Sequence, residues 1–254
     1  MTAFHKAIIP AAGLGKRMRP LSSYIPKPML PLGKKPVLHH IVDEIRAAGV
    51  KEILIPTRSD HEEIGEYFQD DGNITIKIDD SAGGPGEAVL TGEEFVDGSP
   101  FLVIFSDAPL AGEKTEKVIQ GMSEIFQKNS PDAVMSIYPV PKKEAGSRGI
   151  VKLADQKTNG LFEVETIIEK PDSISISEPM ASTCRYLFTP DLFDALKNAE
   201  RDEDGELQLT AGVNELLRKG GTVLASSLPK GLKRHDTGNF DGYAKAQAAF
   251  GQYK

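Results

Sequence analysis

Strand-like and helix-like segments alternate through the first 105 residues, and this alternation is the strongest constraint on the fold. Short apolar segments typical of strands occupy residues 4–10, 52–56, 74–78 and 101–105, and we predict helices between them at 37–48, 60–68 and 87–95. The last of these strands, Phe-Leu-Val-Ile-Phe, is apolar throughout, as expected of a central strand that is covered on both faces. The order therefore predicts a mostly parallel sheet with helices on both faces.

The second half of the chain is less regular, but it also mixes the two kinds of segment. We predict strands at 133–140, 149–153, 161–169, 182–188 and 222–226, helices at 190–198, 209–218 and 240–250, and surface loops at 173–178 and 199–205. No linker, repeat or low-complexity tract separates the halves. We therefore expect one α/β domain over residues 1–254, with a Rossmann-like, mostly parallel mixed sheet that the second half elaborates.

Composition excludes some classes of function. The net charge of −7 argues against general nucleic-acid binding, and no segment approaches the roughly 20 apolar residues of a membrane span. The single cysteine, Cys184, cannot form an internal disulfide, which suits a reducing cytoplasm. The first residues lack the apolar region of a signal peptide. We expect a cytoplasmic protein with small-molecule substrates.

Positive charge is concentrated at the start of the chain. The first 42 residues contain seven Lys or Arg and no Asp or Glu, although the whole chain has 30 basic and 37 acidic residues. This segment carries a glycine-rich loop, Ala11-Ala-Gly-Leu-Gly-Lys-Arg17, directly after the first predicted strand. Ligands of parallel sheets bind at the carboxyl ends of the strands, where backbone N–H groups of such a loop can hold phosphates.

Four interpretations of this loop compete. A dinucleotide-binding loop would need a third glycine at the position of Met18, and a P-loop would need four residues between its glycines followed by Gly-Lys-Ser or Gly-Lys-Thr. Both patterns are absent. The remaining two are a plain tight turn with solvated cations and a nucleoside triphosphate loop of another type, in which Arg17 would clamp the phosphates.

Further motifs follow the loop in a fixed order. They are Pro26-Lys-Pro-Met-Leu-Pro-Leu32, Gly86-Glu-Ala88, Phe105-Ser-Asp107, Ile168-Glu-Lys-Pro171, Arg185-Tyr-Leu187, Glu206-Leu-Gln-Leu-Thr210 and Asp236-Thr-Gly-Asn239. Together with the loop they resemble the sugar-phosphate nucleotidyltransferases over nearly the whole chain, most closely the bacterial branch that uses UTP and glucose 1-phosphate. Members of this family join a nucleoside triphosphate to a sugar 1-phosphate and release pyrophosphate.

The resemblance implies a role for each matching residue. It assigns catalysis to Arg17 and Lys27, nucleotide binding to Ala11, Ala12, Gly13, Gly15, Gly86 and Ser106, sugar-phosphate binding to Gly149, Glu169 and Lys170, and one Mg²⁺ ion to Asp107 and Asp236. Residues 1–130 would mainly bind the nucleotide and residues 131–254 mainly the sugar phosphate. Related enzymes are commonly homo-oligomers, so a homo-oligomer is a further expectation.

The chemistry of the residues agrees with these roles. Lys27 lies between two prolines, which restrict its backbone and allow its ammonium group to be aimed at a phosphate. Asp107 follows the most apolar strand, and Mg²⁺ typically takes only one or two protein carboxylates. Attack of one anion on another requires alignment and charge stabilisation rather than a covalent nucleophile.

Two departures from the uridylyltransferase pattern leave the base open. Pro28 stands where that branch usually has Glu, and residues 79–86 lack the Gln that usually helps to read the base. The alternatives are therefore the same reaction with dTTP, CTP or GTP or with mannose 1-phosphate, and a non-catalytic paralogue that binds a nucleotide sugar and regulates a partner enzyme.

Overall fold

The computed structural model describes residues 4–158, 160–171 and 176–251. Its strands are β1 (Lys6–Ile8), β2 (Pro31–Leu32), β3 (Lys35–Pro36), β4 (Glu52–Thr57), β5 (Ile74–Ile78), β6 (Phe101–Ile104), β7 (Leu110–Ala111), β8 (Ala133–Pro139), β9 (Gly149–Thr158), β10 (Leu161–Glu169), β11 (Met180–Phe188), β12 (Val223–Ser227) and β13 (Lys233–Arg234). Its α-helices are α1 (Val37–Ala47), α2 (Glu62–Phe68), α3 (Pro85–Leu90), α4 (Glu93–Val96), α5 (Glu116–Asn129), α6 (Lys142–Ala145), α7 (Asp191–Asn198), α8 (Leu209–Arg218) and α9 (Phe240–Phe250).

One nine-stranded sheet runs through both halves of the chain, in the order β5-β4-β1-β6-β11-β8-β12-β10-β9. The four strands from the first half are all parallel. Strand β11 joins this half to the rest by antiparallel pairing with β6 and β8, and β8 and β12 are parallel to each other. The predicted Rossmann-like mixed α/β fold is confirmed, with an all-parallel part in the first half and a mixed part in the second.

Buried side chains cover both faces of the sheet. On β6, Phe101 and Val103 belong to one apolar core, which includes side chains of α7 and α8. The alternate residues Leu102 and Ile104 belong to the core on the other face, with α1, α2 and α5. All four side chains are fully buried, which agrees with the prediction that this strand is central.

The helices differ from the predictions at two points. Helices α5 and α6 were not predicted, although Val118, Ile119 and Met122 of α5 are buried at helical spacing. The helix predicted at 87–95 is instead two short helices, α3 and α4, separated near Gly92. A Cβ atom at Gly92 would lie 2.4 Å from Cδ1 of Ile8, so the break brings the backbone directly against the sheet.

The loops after β1, β5 and β6 all leave the sheet at the carboxyl ends of its parallel strands. The first loop contains the 3₁₀ helices Lys16–Met18, Leu21–Ser23 and Lys27–Met29. The surface loop predicted at 199–205 is exposed, except that its first residue, Ala199, is partly buried. The loop predicted at 173–178 lies partly outside the described residues. No helix in the described part of the chain is long and apolar enough to cross a membrane.

A buried ion pair ties α1 to the sheet beneath this edge. The guanidinium group of Arg185 on β11 donates through Nε and NH2 to the two carboxylate oxygens of Glu44, at 2.8 and 2.7 Å. Both side chains are almost completely buried. Two parallel, charge-assisted hydrogen bonds of this kind fix geometry strongly, and the loss of one partner leaves a buried charge.

Candidate active site

Two adjoining cavities open at the carboxyl edge of the parallel strands. The larger, of about 640 Å³, is lined by the glycine-rich loop, the segment after β5, the turn after β6 and parts of the second half. The smaller, of about 200 Å³, is lined mainly by residues of the second half. Arg17, Asp107 and Lys170 line both. The arrangement provides two compartments with a shared, charged boundary.

The glycine-rich loop forms one wall of the larger cavity. Ala11, Ala12, Gly13, Gly15 and Arg17 all line it. Gly15 has a φ of 62°, in the left-handed region that favours glycine, and its carbonyl accepts a hydrogen bond from Ser22 Oγ at 2.9 Å. A Cβ atom added at Gly13 would meet nothing within 4 Å, so the backbone there faces open space. The loop therefore offers an uncovered backbone surface on which phosphates can lie.

Lys27 points into the boundary between the cavities. It begins the 3₁₀ helix that the flanking prolines introduce, and its Nζ lies 2.5 Å from Oδ2 of Asp107. Only about a sixth of either side chain is exposed. Burial alone would raise the pKa of Asp107, but the charge and hydrogen bond of Lys27 outweigh it and hold that pKa below its usual value. Asp107 is therefore ionised at neutral pH.

Backbone pairing brings Asp107 and Asp236 together from distant parts of the sequence. The short strands β7 and β13 are antiparallel, with Leu110 opposite Arg234. The same register continues to Thr237, whose N–H and Oγ1 both donate to the carbonyl oxygen of Asp107 at 3.0 Å. The two carboxylates predicted to share a metal are thus placed by one hairpin-like contact of the backbone.

Gly238 lies where three of the predicted site residues converge. A Cβ atom added there would lie 2.9 Å from Oδ1 of Asp236, 3.1 Å from NH2 of Arg17 and 3.2 Å from Oδ2 of Asp107. All three distances are shorter than ordinary van der Waals contacts. The absence of a side chain at Gly238 allows both carboxylates and the guanidinium group to approach one another.

The residues predicted to bind the sugar phosphate lie close to one another. Gly149 and Glu169 are opposite each other in the β9–β10 ladder, and a Cβ atom at Gly149 would lie 3.0 Å from the Glu169 carboxylate. Thr210 Oγ1 donates to that carboxylate at 3.2 Å. Burial raises the pKa of Glu169 despite the nearby charge of Lys170. Glycine therefore leaves space beside a carboxylate that can accept hydrogen bonds.

Two of the predicted nucleotide residues are held by contacts within the protein. Ser106 lines the larger cavity, but its hydroxyl donates to the carbonyl of Pro10 at 2.8 Å. Gly86 is buried in α3, and a Cβ atom there would lie 2.8 Å from Leu207. Its neighbours Gly84 and Pro85 line the cavity. Close packing against Leu207, behind the wall of the larger cavity, therefore explains why position 86 is a glycine.

Sequence reasoning missed several charged residues of the cavities, among them Asp79, Arg148 and Arg234. Asp79, almost completely buried, lines the larger cavity, and its Oδ1 accepts a hydrogen bond from the N–H of Ser81 at 3.1 Å. Arg148 and Arg234 line the smaller cavity, with NH1 atoms 3.6 and 3.8 Å from Oδ2 of Asp236. Arg148 comes directly before Gly149, and Arg234 comes two residues before Asp236. Their closeness in sequence to predicted site residues is the one signal that could have indicated them.

Comparison with known proteins identifies the family. The sequence profile described as Nucleotidyl transferase matches residues 6–252. A UTP–glucose-1-phosphate uridylyltransferase 2 of Streptococcus pyogenes serotype M3 is 32% identical over 275 residues, covering 96% of this chain and 89% of the relative. A UTP–glucose-1-phosphate uridylyltransferase of Mycoplasma pneumoniae is also 32% identical, over 274 residues, covering 97% of this chain and 92% of the relative.

Solved structures agree with this assignment. A crystal structure of a UDP-glucose pyrophosphorylase complexed with UDP-glucose is similar with a TM-score of 0.89 and 26% identity, covering 99% of this chain and 100% of that chain. The apo structure of a UDP-glucose pyrophosphorylase gives a TM-score of 0.86, also at 26% identity, covering 97% of this chain and 98% of that one. With its profile match, its relatives and its two-cavity site, the chain belongs to the nucleotidyl transferase family.

Proposed function

We propose that this chain transfers a uridylyl group from UTP to glucose 1-phosphate and releases pyrophosphate. The observation that carries the proposal is the pair of adjoining cavities with Arg17, Asp107 and Lys170 on their common boundary. The names of the relatives, UTP–glucose-1-phosphate uridylyltransferases at 32% identity, support the choice of substrates. The larger cavity would hold the nucleotide and the smaller one the sugar phosphate.

The reaction joins the two cavities at their boundary. A phosphate oxygen of glucose 1-phosphate attacks the α-phosphorus of UTP, the bond from that phosphorus to the β-phosphate oxygen breaks, and pyrophosphate leaves. Arg17 would stabilise the leaving phosphates from the loop, and Lys27 would stabilise the charge that develops at the α-phosphate. In the smaller cavity, Lys170 would offset the negative charge of the sugar phosphate. Glu169 would accept hydrogen bonds from the sugar hydroxyls.

The carboxylates of Asp107 and Asp236 are suited to a divalent cation. They converge beside Gly238 and supply hard oxygen ligands, which Mg²⁺ prefers. Within the described residues no group of three or more His, Cys, Asp or Glu forms a complete cage. Two carboxylates fit an ion that takes its other ligands from phosphates and water. Asp107 and Asp236 would hold Mg²⁺, which would supply Lewis-acid stabilisation of the charge on the reacting phosphates.

We assign the nucleotide base to the part of the larger cavity that is lined by Asp79 and residues 82–85. Pro28, buried on the 3₁₀ helix of Lys27, also lines it. A buried carboxylate at Asp79 would favour a base that presents a hydrogen-bond donor, such as the N3–H of uracil. The same group would disfavour an unprotonated ring nitrogen at that position. We therefore expect UTP to be used in preference to CTP.

A substrate panel tests the proposed function. Pyrophosphate release is measured with Mg²⁺ and glucose 1-phosphate for each of UTP, dTTP, CTP, ATP and GTP, and UTP is expected to give the highest kcat/KM. A higher value for another triphosphate would overturn the base assignment. Binding of UDP-glucose without turnover of any triphosphate would instead support the non-catalytic alternative.

The metal assignment has its own test. Asp107→Asn is expected to abolish most activity and to weaken the dependence of the remainder on Mg²⁺ concentration. Asp97→Asn, at an exposed position before β6, is the matched control and should keep the wild-type dependence. Unchanged Mg²⁺ dependence in Asp107→Asn would remove Asp107 from the metal site.

A further inference from the structure

Two arginines on the wall of the smaller cavity have no role in the proposed function. Arg234 lies on β13, directly opposite Leu110, and Arg148 lies immediately before β9. Their guanidinium groups approach the same carboxylate oxygen of Asp236 from NH1, at 3.8 and 3.6 Å. The cavity therefore has two guanidinium groups on one side, with Glu169 and Lys170 also on its wall.

Arg234 is a buried cation with weak partners. Its side chain is only 7% exposed, and among the described residues its Nε has no hydrogen-bond partner. NH1 contacts the hydroxyl of Tyr138 at 3.5 Å, and NH2 contacts the sulfur of Cys184 at 3.6 Å. Burial of a guanidinium group is costly unless its donors and its charge are matched. The distances show that Arg234 is under-satisfied by the protein alone.

Arg148 is in a similar position. Its side chain is 18% exposed, and its Nε is buried without a partner in the described part of the chain. Its NH2 group lies 3.3 Å from the carboxylate of Glu144. The backbone N–H of Lys170 donates to the carbonyl oxygen of Arg148 at 3.0 Å, so the two cationic residues are adjacent. Cations from three separate segments thus face one small space.

The nearby carboxylates do not satisfy all the hydrogen-bond donors of these cations. Asp107 is already paired with Lys27, and Oδ1 of Asp236 accepts the N–H of Gly238 at 2.9 Å. Asp236 therefore offers one remaining oxygen to two guanidinium groups, and neither distance is that of a hydrogen bond. An additional anion of tetrahedral shape, with several acceptor oxygens, would satisfy donors that the protein leaves unpaired.

We infer that Arg148 and Arg234 bind the phosphate group of the sugar 1-phosphate in the smaller cavity, together with Lys170. This inference rests on the proposed function and deepens it. Guanidinium groups donate in a planar fork that matches phosphate oxygens. The two arginines hold the attacking phosphate at the boundary next to Asp236, while Glu169 binds the sugar. They are substrate-binding residues for one of the two substrates only.

The test separates the two substrates kinetically. Arg148→Gln is expected to raise the KM for glucose 1-phosphate at least tenfold, with less than a twofold change in the KM for UTP. Arg148→Lys should recover part of the loss, because it keeps the charge but not the fork. Arg218→Gln, at a 71% exposed arginine on α8, is the matched control and should change neither value. Arg234→Lys should raise the KM for glucose 1-phosphate in the same partial way as Arg148→Lys, again with less than a twofold change in the KM for UTP.

The outcomes distinguish this inference from the proposed function. Equal increases in both KM values in Arg148→Gln would overturn the inference, and so would an unchanged KM for glucose 1-phosphate. The proposed function would stand in either case, provided that the wild type turns over UTP. If the wild type turns over no triphosphate, the proposed function fails. Calorimetric titration with inorganic phosphate then tests whether the arginines bind phosphate. Weaker phosphate binding by Arg148→Gln than by Arg218→Gln supports this role, and equal binding rejects it. Failure of Arg234→Lys to fold leaves the decision with Arg148→Gln.

Discussion

Substitution of Gly238 by alanine tests the convergence of charges at the site with a single methyl group. Gly238 is buried, and its φ lies outside the left-handed region, so alanine is compatible with the backbone. The new Cβ atom would lie 2.9 Å from Asp236, 3.1 Å from Arg17 and 3.2 Å from Asp107. Each of these groups must move by a few tenths of an ångström to restore ordinary contact. The displacement therefore falls on three proposed site residues at once.

The expected effect on catalysis is large in comparison with the effect on folding. A misplacement of about 1 Å can cost on the order of 10²-fold in rate, so smaller shifts of three groups should lower kcat/KM by roughly 10- to 100-fold. This corresponds to about 1.4 to 2.7 kcal/mol of activation free energy. The displaced groups lie at a cavity rather than in the apolar core, so we expect the free energy of unfolding to change by about 1 kcal/mol or less.

The assay is steady-state pyrophosphate release, combined with urea unfolding of the same samples. Gly121→Ala is the matched control, because a Cβ atom in the middle of α5 would meet nothing within 4 Å. That substitution should leave kcat/KM unchanged and stabilise the protein by roughly 0.5–1 kcal/mol, since glycine is unfavourable inside a helix. Wild-type kcat/KM in Gly238→Ala would refute the argument. So would a loss of several kcal/mol in stability, because the position would then serve folding.

Three further predictions address the ion pairs and the buried carboxylate. Lys27→Met should lower kcat by about 10²-fold or more in the pyrophosphate assay with the fold retained, and normal turnover would exclude Lys27 from catalysis. Glu44→Gln should destabilise the protein by about 3 kcal/mol or more, because Arg185 loses its buried partner; calorimetry should show a lower Tm, whereas Arg218→Gln should not. Burial raises the pKa of Glu169 above its ordinary value of 4.5. As the pH falls, its carboxylate therefore becomes protonated at a pH above 4.5. The KM for glucose 1-phosphate should therefore rise in that range, and Glu169→Gln should abolish this pH dependence.

The parallel half of the fold could be predicted because its signals are local. Each of its strands is a short apolar run, and β6 is buried at every position, as its continuous apolar sequence indicated. The ends of these strands then define the ligand edge, so the glycine-rich loop and Asp107 could be placed there before any contact was known. Helix α5 carries an equally local signal at Val118, Ile119 and Met122, and its omission was an error of interpretation.

Other parts of the site depend on contacts that no local pattern encodes. Strands β7 and β13 have two residues each, too few for any periodicity, yet their register brings Asp236 to Asp107. The resemblance paired these carboxylates, but only the backbone pairing explains why they meet. Arg148 and Arg234 belong to no motif that sequence reasoning used, and their importance follows from burial and unpaired donors. Long-range pairing and desolvation are properties of the folded chain.

The charges of the site are paired with one another, and this limits how anionic substrates can bind. Lys27 donates to Asp107, and Asp236 lies between Arg148 and Arg234. Each cation proposed to bind phosphate is therefore near a carboxylate proposed to bind metal. Because a buried charge is costly without a partner, a phosphate and a cation must enter together for these pairs to exchange partners at small cost. The same need for partners explains why the basic first segment and the acidic remainder of the chain meet at this edge. Under the proposed function, each neutralises the other until the two substrates and Mg²⁺ bind.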